Sequence, residues 1–239
     1  MDCTRKNEFS GLTVLDLSRY LPGGYATQVL ADMGAEVIKV EDTGRGDFCR
    51  HDEPVMQGES YYFTALARNK KSLSVNLKSR EGKEIFHKLA AKSDIILESF
   101  RPGVTTRLGI DYEQIKAVKP DIIYCSLSGY GQSNPNSLKA LHDINMQAQS
   151  GYLSLNGGKT SPLHLCDLAS GMVAAQAMLA ALYQRSVSGK GNYIDISMFD
   201  SFVWWNSMLD SRYYFYGGSL EAKDLEYPAV CYNIYDTKD

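Results

Sequence analysis

An α/β fold built on a largely parallel sheet, with helices on both faces, is predicted by three features of the sequence. Short apolar runs rich in β-branched residues recur along the chain. Segments with apolar residues at helical spacing separate them. The first strand, helix and second strand follow one another between Leu12 and Glu41, a βαβ unit that implies a parallel pair and a right-handed crossover.

In order, LTVLDL (Leu12–Leu17) reads as a buried strand and SRYLPGG as a loop. YATQVLADMG is a helix presenting Ala26, Val29, Leu30 and Met33, stopped by Gly34, and AEVIKVE is the next strand. KSLSVNL is a strand, followed by a helix capped by Ser79 with Ile85, Phe86 and Leu89 on its buried stripe. SDIILESF is a strand, GVTTRLG and YEQIKAVKP are short helices, and DIIYCSLSGYG is a strand entering a glycine-rich turn. Leu168–Gln184 is a long helix rich in alanine and methionine, and NYIDISMF is a further strand. From Ser201 the composition changes. A Trp- and Tyr-dense stretch gives way to the polar LEAKDLEYP, and a strand-like run, CYNIYDT, is cut short at Asp239. An unfinished strand leaves an open edge, so the chain reads as a piece of a longer one.

A length of 239 residues supports one large domain or two small ones. The net charge of -3 supplies no basic field for nucleic acid or an anionic membrane, so an anionic ligand must be held by local groups. No apolar run is expected to reach the length of a membrane span, and the protein is expected in the cytoplasm. The five cysteines are scattered and never form CxxC, which points to free thiols, and four unclustered histidines point to no metal site.

The first βα turn, RYLPGGYA, lacks the GxGxxG of dinucleotide enzymes, so Glu41 at the end of the second strand is weak support for ribose binding. Neither a P-loop GxxxxGK[ST] nor a GxSxG elbow is present.

The strings LTVLDLSRYLPGGYATQVLADMGAEVIKVE, ESFRPGVTTRLGIDYE, SLSGYGQ, LHDINMQAQSG and SGKGNYIDISMFD occur in this order. Together, from Leu12 to about Asp239, they resemble the CaiB/BaiF group of family III CoA-transferases and the related α-methylacyl-CoA racemases. The resemblance implies a Rossmann-like CoA-binding large domain, here residues 9–200, with 201–239 as a linker helix and the start of a small domain that is missing. It implies interlocked homodimers, no permanently bound cofactor, coenzyme A as substrate, and an acyl-CoA and a carboxylic acid as partners.

Asp143, at the start of a helix, reads on position alone as an N-cap. CoA transfer needs a carboxylate that can become a mixed anhydride and then a thioester, and the resemblance gives Asp143 that nucleophilic role. Gly129, Gly131 and Gly151 would let a thioester approach backbone donors. His142 reads as a structural residue or, by resemblance to the racemases, as one acid/base. Asp167 reads as the cap of the long helix or as the second acid/base. Met146 and the following QAQSG depart from the racemase pattern, so transfer is preferred, with racemisation and an inactive CoA-binding fragment as the alternatives. For CoA itself the resemblance points to Val75, Asn76, Lys78, Ser99, Phe100, Arg101 and Arg107, the arginines suited to phosphate by their forked donors. Asp42 stands where some transferases carry an arginine.

Overall fold

The structure is a computed structural model and describes residues 8–220, 231 and 235–238. Its centre is a sheet of β1 (Thr13–Leu17), β2 (Glu36–Glu41), β5 (Lys70–Ser74), β6 (Ile95–Glu98), β7 (Ile123–Ser128) and β8 (Asn192–Ser197). The order is β5-β2-β1-β6-β7-β8 and every pairing is parallel. A two-stranded ribbon of β3 (Val55–Met56) and β4 (Glu59–Ser60) stands apart.

Alternation within the strands explains the two-faced core. Val14, Ile95, Leu97, Ile123, Cys125 and Leu127 face α1 (Tyr20–Asp32) and α8 (Leu165–Ser188). Their neighbours Leu15, Leu17, Ile96 and Tyr124 point the other way, onto Phe86 and Ala90 of α3 (Arg80–Ala90) and Ile115 of α5 (Tyr112–Val118). Strands with apolar residues on both faces are what a sheet covered on both sides requires. The short helix α4 (Val104–Leu108) follows β6, and the 3-10 turn Phe48–His51 and α2 (Tyr61–Ala67) lie between β2 and β5.

Three expectations change. The run SRYLPGG is not a loop throughout, because α1 begins at Tyr20 and takes Pro22, Gly23 and Gly24 into its first turns. Proline is tolerated there because its missing N–H has no helical partner to lose. Gly23 is required by contact: a Cβ on it would lie 2.2 Å from Ser18 Cβ. Secondly, α8 is long and apolar enough, by length and composition alone, to cross a membrane, which the expectation of no such run overlooked. Its apolar character comes from small residues. Ala174, Ala175, Met178 and Ala181 are buried against the sheet, and Gly171 meets the Pro22 carbonyl of α1, where a Cβ would come within 2.6 Å.

Thirdly, the large domain does not stop at residue 200. The helix α9 (Met198–Trp205) packs on α8, and Phe202, 2% exposed, shares a core with Met146, Cys166 and Ala169. The change of composition at Ser201 thus marks where side chains on the outer face become exposed rather than where the domain ends. Trp204, Trp205, Met208, Tyr214 and Phe215 are exposed on α9 and α10 (Ser207–Phe215). Replacing Phe202 with alanine should cost about 3–5 kcal/mol of stability, read as a lowered urea midpoint with unchanged slope. A change within error would place the helix outside the domain. LEAKDLEYP lies outside the described residues but for Leu220, as do parts of CYNIYDT, so neither the linker nor the last strand is described.

Candidate active site

The strand order reverses between β1 and β6, and open α/β sheets bind ligands beyond the carboxyl ends of the strands at such a switch point. A cleft opens there, lined by Leu17, Ser18, Arg19, Val75, Asn76, Lys78 and Phe100 among others. Four residues named for CoA, namely Val75, Asn76, Lys78 and Phe100, therefore come together. The loop after β5 is held by backbone: Val75 N–H donates to the Glu41 carbonyl at 2.9 Å and Lys78 N–H to the Asn76 side chain at 3.0 Å. Gly82 lets α3 press against this loop, since a Cβ would fall 2.0 Å from the Asn76 carbonyl.

Ser99 does not line the cleft but fixes its floor, accepting the Arg19 N–H at 3.0 Å. Buried Glu98 likewise accepts the Phe100 N–H at 2.7 Å. Arg101 and Arg107 are exposed at the rim, beside Phe100 and Leu108, and make no ion pair among the described residues. Arg19 escaped sequence reasoning. Its guanidinium lies 5.0 Å from the Phe48 ring centre and 5.8 Å from that of Phe100, with Asp42 at 3.5 Å. Asp42 thus faces a cation supplied by another strand end, in the place where relatives were expected to carry their own. Glu41 is not available to a ribose: Arg50 donates to both its oxygens, at 2.7 and 2.6 Å, and Ser72 and the Asp47 N–H fill the rest.

Beneath the cleft lies a buried ionic network that no local pattern announced. Asp16, fully buried, faces Lys70 at 3.1 Å and Lys39 at 3.8 Å, and accepts from Thr27 at 2.6 Å and from the Ser18 N–H at 2.9 Å. Lys39 also pairs with Asp47 at 2.6 Å and donates to the Ser18 carbonyl at 2.9 Å.

The second assembly is built on the amino end of α8. Asp143 is the first residue of α6 (Asp143–Gln149) and 8% exposed. Its Oδ1 accepts the N–H groups of Cys166 at 2.7 Å and Asp167 at 3.3 Å, and Oδ2 accepts from the Gln147 side chain. A carboxylate therefore does cap a helix, as its position hinted, but the helix is α8 rather than its own. Both oxygens are thus engaged in this structure, whereas the nucleophilic role expected of Asp143 needs one of them free.

Asp167 sits one turn into α8 and supplies no cap; its carboxyl accepts no hydrogen bond among the described residues. Burial, and then the charge of Asp143, push it up to about 7. One oxygen from each acid and a ring nitrogen of His164 lie within 4.8 Å of one another. His164, the N-cap of α8, is exposed, and its ring stands edge-on to Tyr62 with centres 6.0 Å apart. An ion placed among the three would compete with two amides and Gln147 for Asp143. His142 is the exposed N-cap of α6, its N–H donating to Asn145 at 3.1 Å, so the histidine brought to Asp167 is His164 instead. Burial, and then the charge of Asp143, raise the Cys166 thiol well above its usual range, leaving it protonated and a poor nucleophile.

The glycines expected to admit a thioester have other neighbours. A Cβ on Gly129 would meet Leu141 at 3.2 Å, and one on Gly131 would meet Asp195 at 3.5 Å. Gly151 heads α7 (Tyr152–Leu155) with φ of 80°. Tyr62 and His164 were not found from sequence because only the fold brings them to Asp167.

A parallel sheet with a cleft at its switch point, and two carboxylates at the head of α8, place the chain among the open, doubly wound α/β proteins. The chain belongs to CoA-transferase family III, which it matches over residues 9–239. It is 39% identical to the succinyl-CoA:glutarate CoA-transferase of Mus musculus, with 100% of this chain aligned to 56% of that protein. To the acetyl-CoA:oxalate CoA-transferase of Acetobacter aceti it is 39% identical, over 82% of this chain and 52% of that one. The crystal structure of a CaiB/BaiF family protein from Brucella suis superposes with a TM-score of 0.86 at 32% identity, covering 91% of this chain and 60% of that one. The chain thus spans a little over half the length of the curated relatives it matches.

Proposed function

We propose that the protein to which this chain belongs transfers coenzyme A from an acyl-CoA to a dicarboxylic acid, with Asp167 as the nucleophile. The observation that carries the reading is the open, unbonded carboxyl of Asp167, facing the fixed charge of Asp143 at the head of a 24-residue helix. The relatives named for glutarate and oxalate support the class of acceptor.

The steps balance without a proton. Asp167 attacks the acyl carbonyl, forming a mixed anhydride and releasing the CoA thiolate. The thiolate attacks the aspartyl carbonyl, giving an aspartyl-CoA thioester and the free acid. The acceptor carboxylate attacks that thioester, CoA thiolate leaves, and its attack on the acceptor carbonyl regenerates Asp167. Val75, Asn76, Lys78, Phe100 and Arg19 would hold the nucleotide end in the cleft, with Arg101 and Arg107 reaching phosphate from the rim. Ser99 and Glu98 act behind them by fixing the loop backbone.

Incubation of the full-length protein with acyl-CoA, followed by hydroxylamine, should leave a hydroxamate on Asp167 by peptide mass spectrometry. Label on Asp143, or none in a protein that transfers CoA, removes the proposed role. Racemisation through His142 and Asp167 is the weaker reading, because His142 is exposed and His164 occupies the position beside Asp167. A cytoplasmic setting and an interlocked homodimer are part of the proposal. The free thiols of Cys49, Cys125 and Cys166 and the exposed aromatic residues of α9 and α10 agree with them.

A further inference from the structure

We infer that His164 is the specificity-determining residue that takes the second, unreacting carboxylate of a dicarboxylic acceptor. The inference rests on CoA transfer at Asp167. Since no step of that transfer moves a proton, an imidazole beside the nucleophile has no acid–base work to do. What the site does need is a donor. An acceptor acid arrives as an anion next to two carboxylates, Asp143 and Asp167, and like charges at this range repel. Asp143 already holds two amides of the first turn of α8, those of Cys166 and Asp167, which are then not free for the newcomer.

His164 fits the requirement. A ring nitrogen lies within 4.8 Å of both acids, and the side chain is exposed while Asp143 is buried. It therefore stands on the solvent side of the reacting carboxyl, where the far end of an extended diacid would lie. Tyr62 braces the ring edge-on, and burial, followed by the charge of Asp167, raises its phenol above the usual range, so it stays a neutral neighbour. A monocarboxylic acid of the same chain length would leave His164 without a partner, and a binding group left unpaired is how sites reject close analogues.

The test compares glutarate with pentanoate as acceptors for the full-length protein, using acetyl-CoA as a donor without a second carboxylate. The unmodified protein should prefer glutarate. In His164→Ala the ratio of kcat/KM for glutarate over pentanoate should fall by about tenfold or more, the range of a lost charge-assisted hydrogen bond. His164→Arg should restore the preference, a rescue that a merely structural role would not give. No preference for glutarate in the unmodified protein, equal losses for both acids in His164→Ala, or no rescue by arginine would each overturn the assignment. Failure of the underlying reading shows separately, as absence of a CoA adduct on Asp167 in the unmodified protein.

Discussion

Replacing Asp167 with asparagine should lower CoA transfer by at least about 10,000-fold, because an amide of the same shape cannot form the anhydride and the remaining residues only bind. The protein should stay folded, since a neutral amide at this half-buried position no longer faces the charge of Asp143. A melting temperature equal to or above that of the unmodified protein, together with lost activity, is the expected pair of results. The same carboxyl predicts a pH profile. It must be ionised to attack, and burial and then Asp143 hold it at about 7. The quantity kcat/KM should therefore fall about tenfold per pH unit below that value and level off above it. Asp143→Asn removes the neighbouring charge and should move this limb to lower pH. A limb that stays in place would mean that another group controls it.

A loss of stability as large as that expected for Phe202→Ala should come from Asp16→Ala. Burial alone would raise this carboxyl, but Lys39 and Lys70, with Ser18 and Thr27, outweigh it and hold the group far below the usual carboxylate range. Removing it leaves two buried ammonium groups facing each other, with Asp47 paired to Lys39 and no ion pair left to Lys70 among the described residues. Breaking a buried ion pair from one side costs about 3–5 kcal/mol, a large part of the total stability of a domain. Urea unfolding at neutral pH reads this directly. The pH dependence has a definite sign: because the folded-state value is depressed, the contribution of Asp16 is present above the unfolded carboxylate range and is lost only as pH falls through and below it. A loss well under 1 kcal/mol would show that the lysines find other partners.

Much of the scaffold was legible because it is local. The central strands β1, β6 and β7 announce themselves as short runs apolar on both faces, and Ser79 caps α3 by accepting the Gly82 N–H at 3.0 Å, as its place in the sequence indicated. KSLSVNL was legible too, although β5 stops at Ser74. Where glycine and proline serve packing rather than turning, local reading fails. Gly23 and Gly171 permit close approach of backbones far apart in sequence, and LPGG looks like a loop until α8 is laid across it.

The segment between β2 and β5 gave almost no signal. Its ribbon strands have two residues each, and Asp47 is explained only by Lys39 and by the N–H groups of Tyr20 and Cys49. At the site, motif resemblance found Asp143 and Asp167 and gave the nucleophilic role to Asp143, the one whose oxygens the fold engages. Which carboxyl is bound by amides depends on how α6 meets α8, and nothing within either segment states that.

The contact between Gly171 and Pro22 carries a consequence for substrate length. Through it the first turn of α1, which follows the cleft residue Arg19, and the first turns of α8, which bear Asp167, touch backbone to backbone. Neither helix can slide without forcing the other, so the distance from the cleft to the Asp167 carboxyl is set by the fold. The molecule acts as a fixed gauge. On the proposed transfer at Asp167, that fixed distance is what a bound thioester has to span.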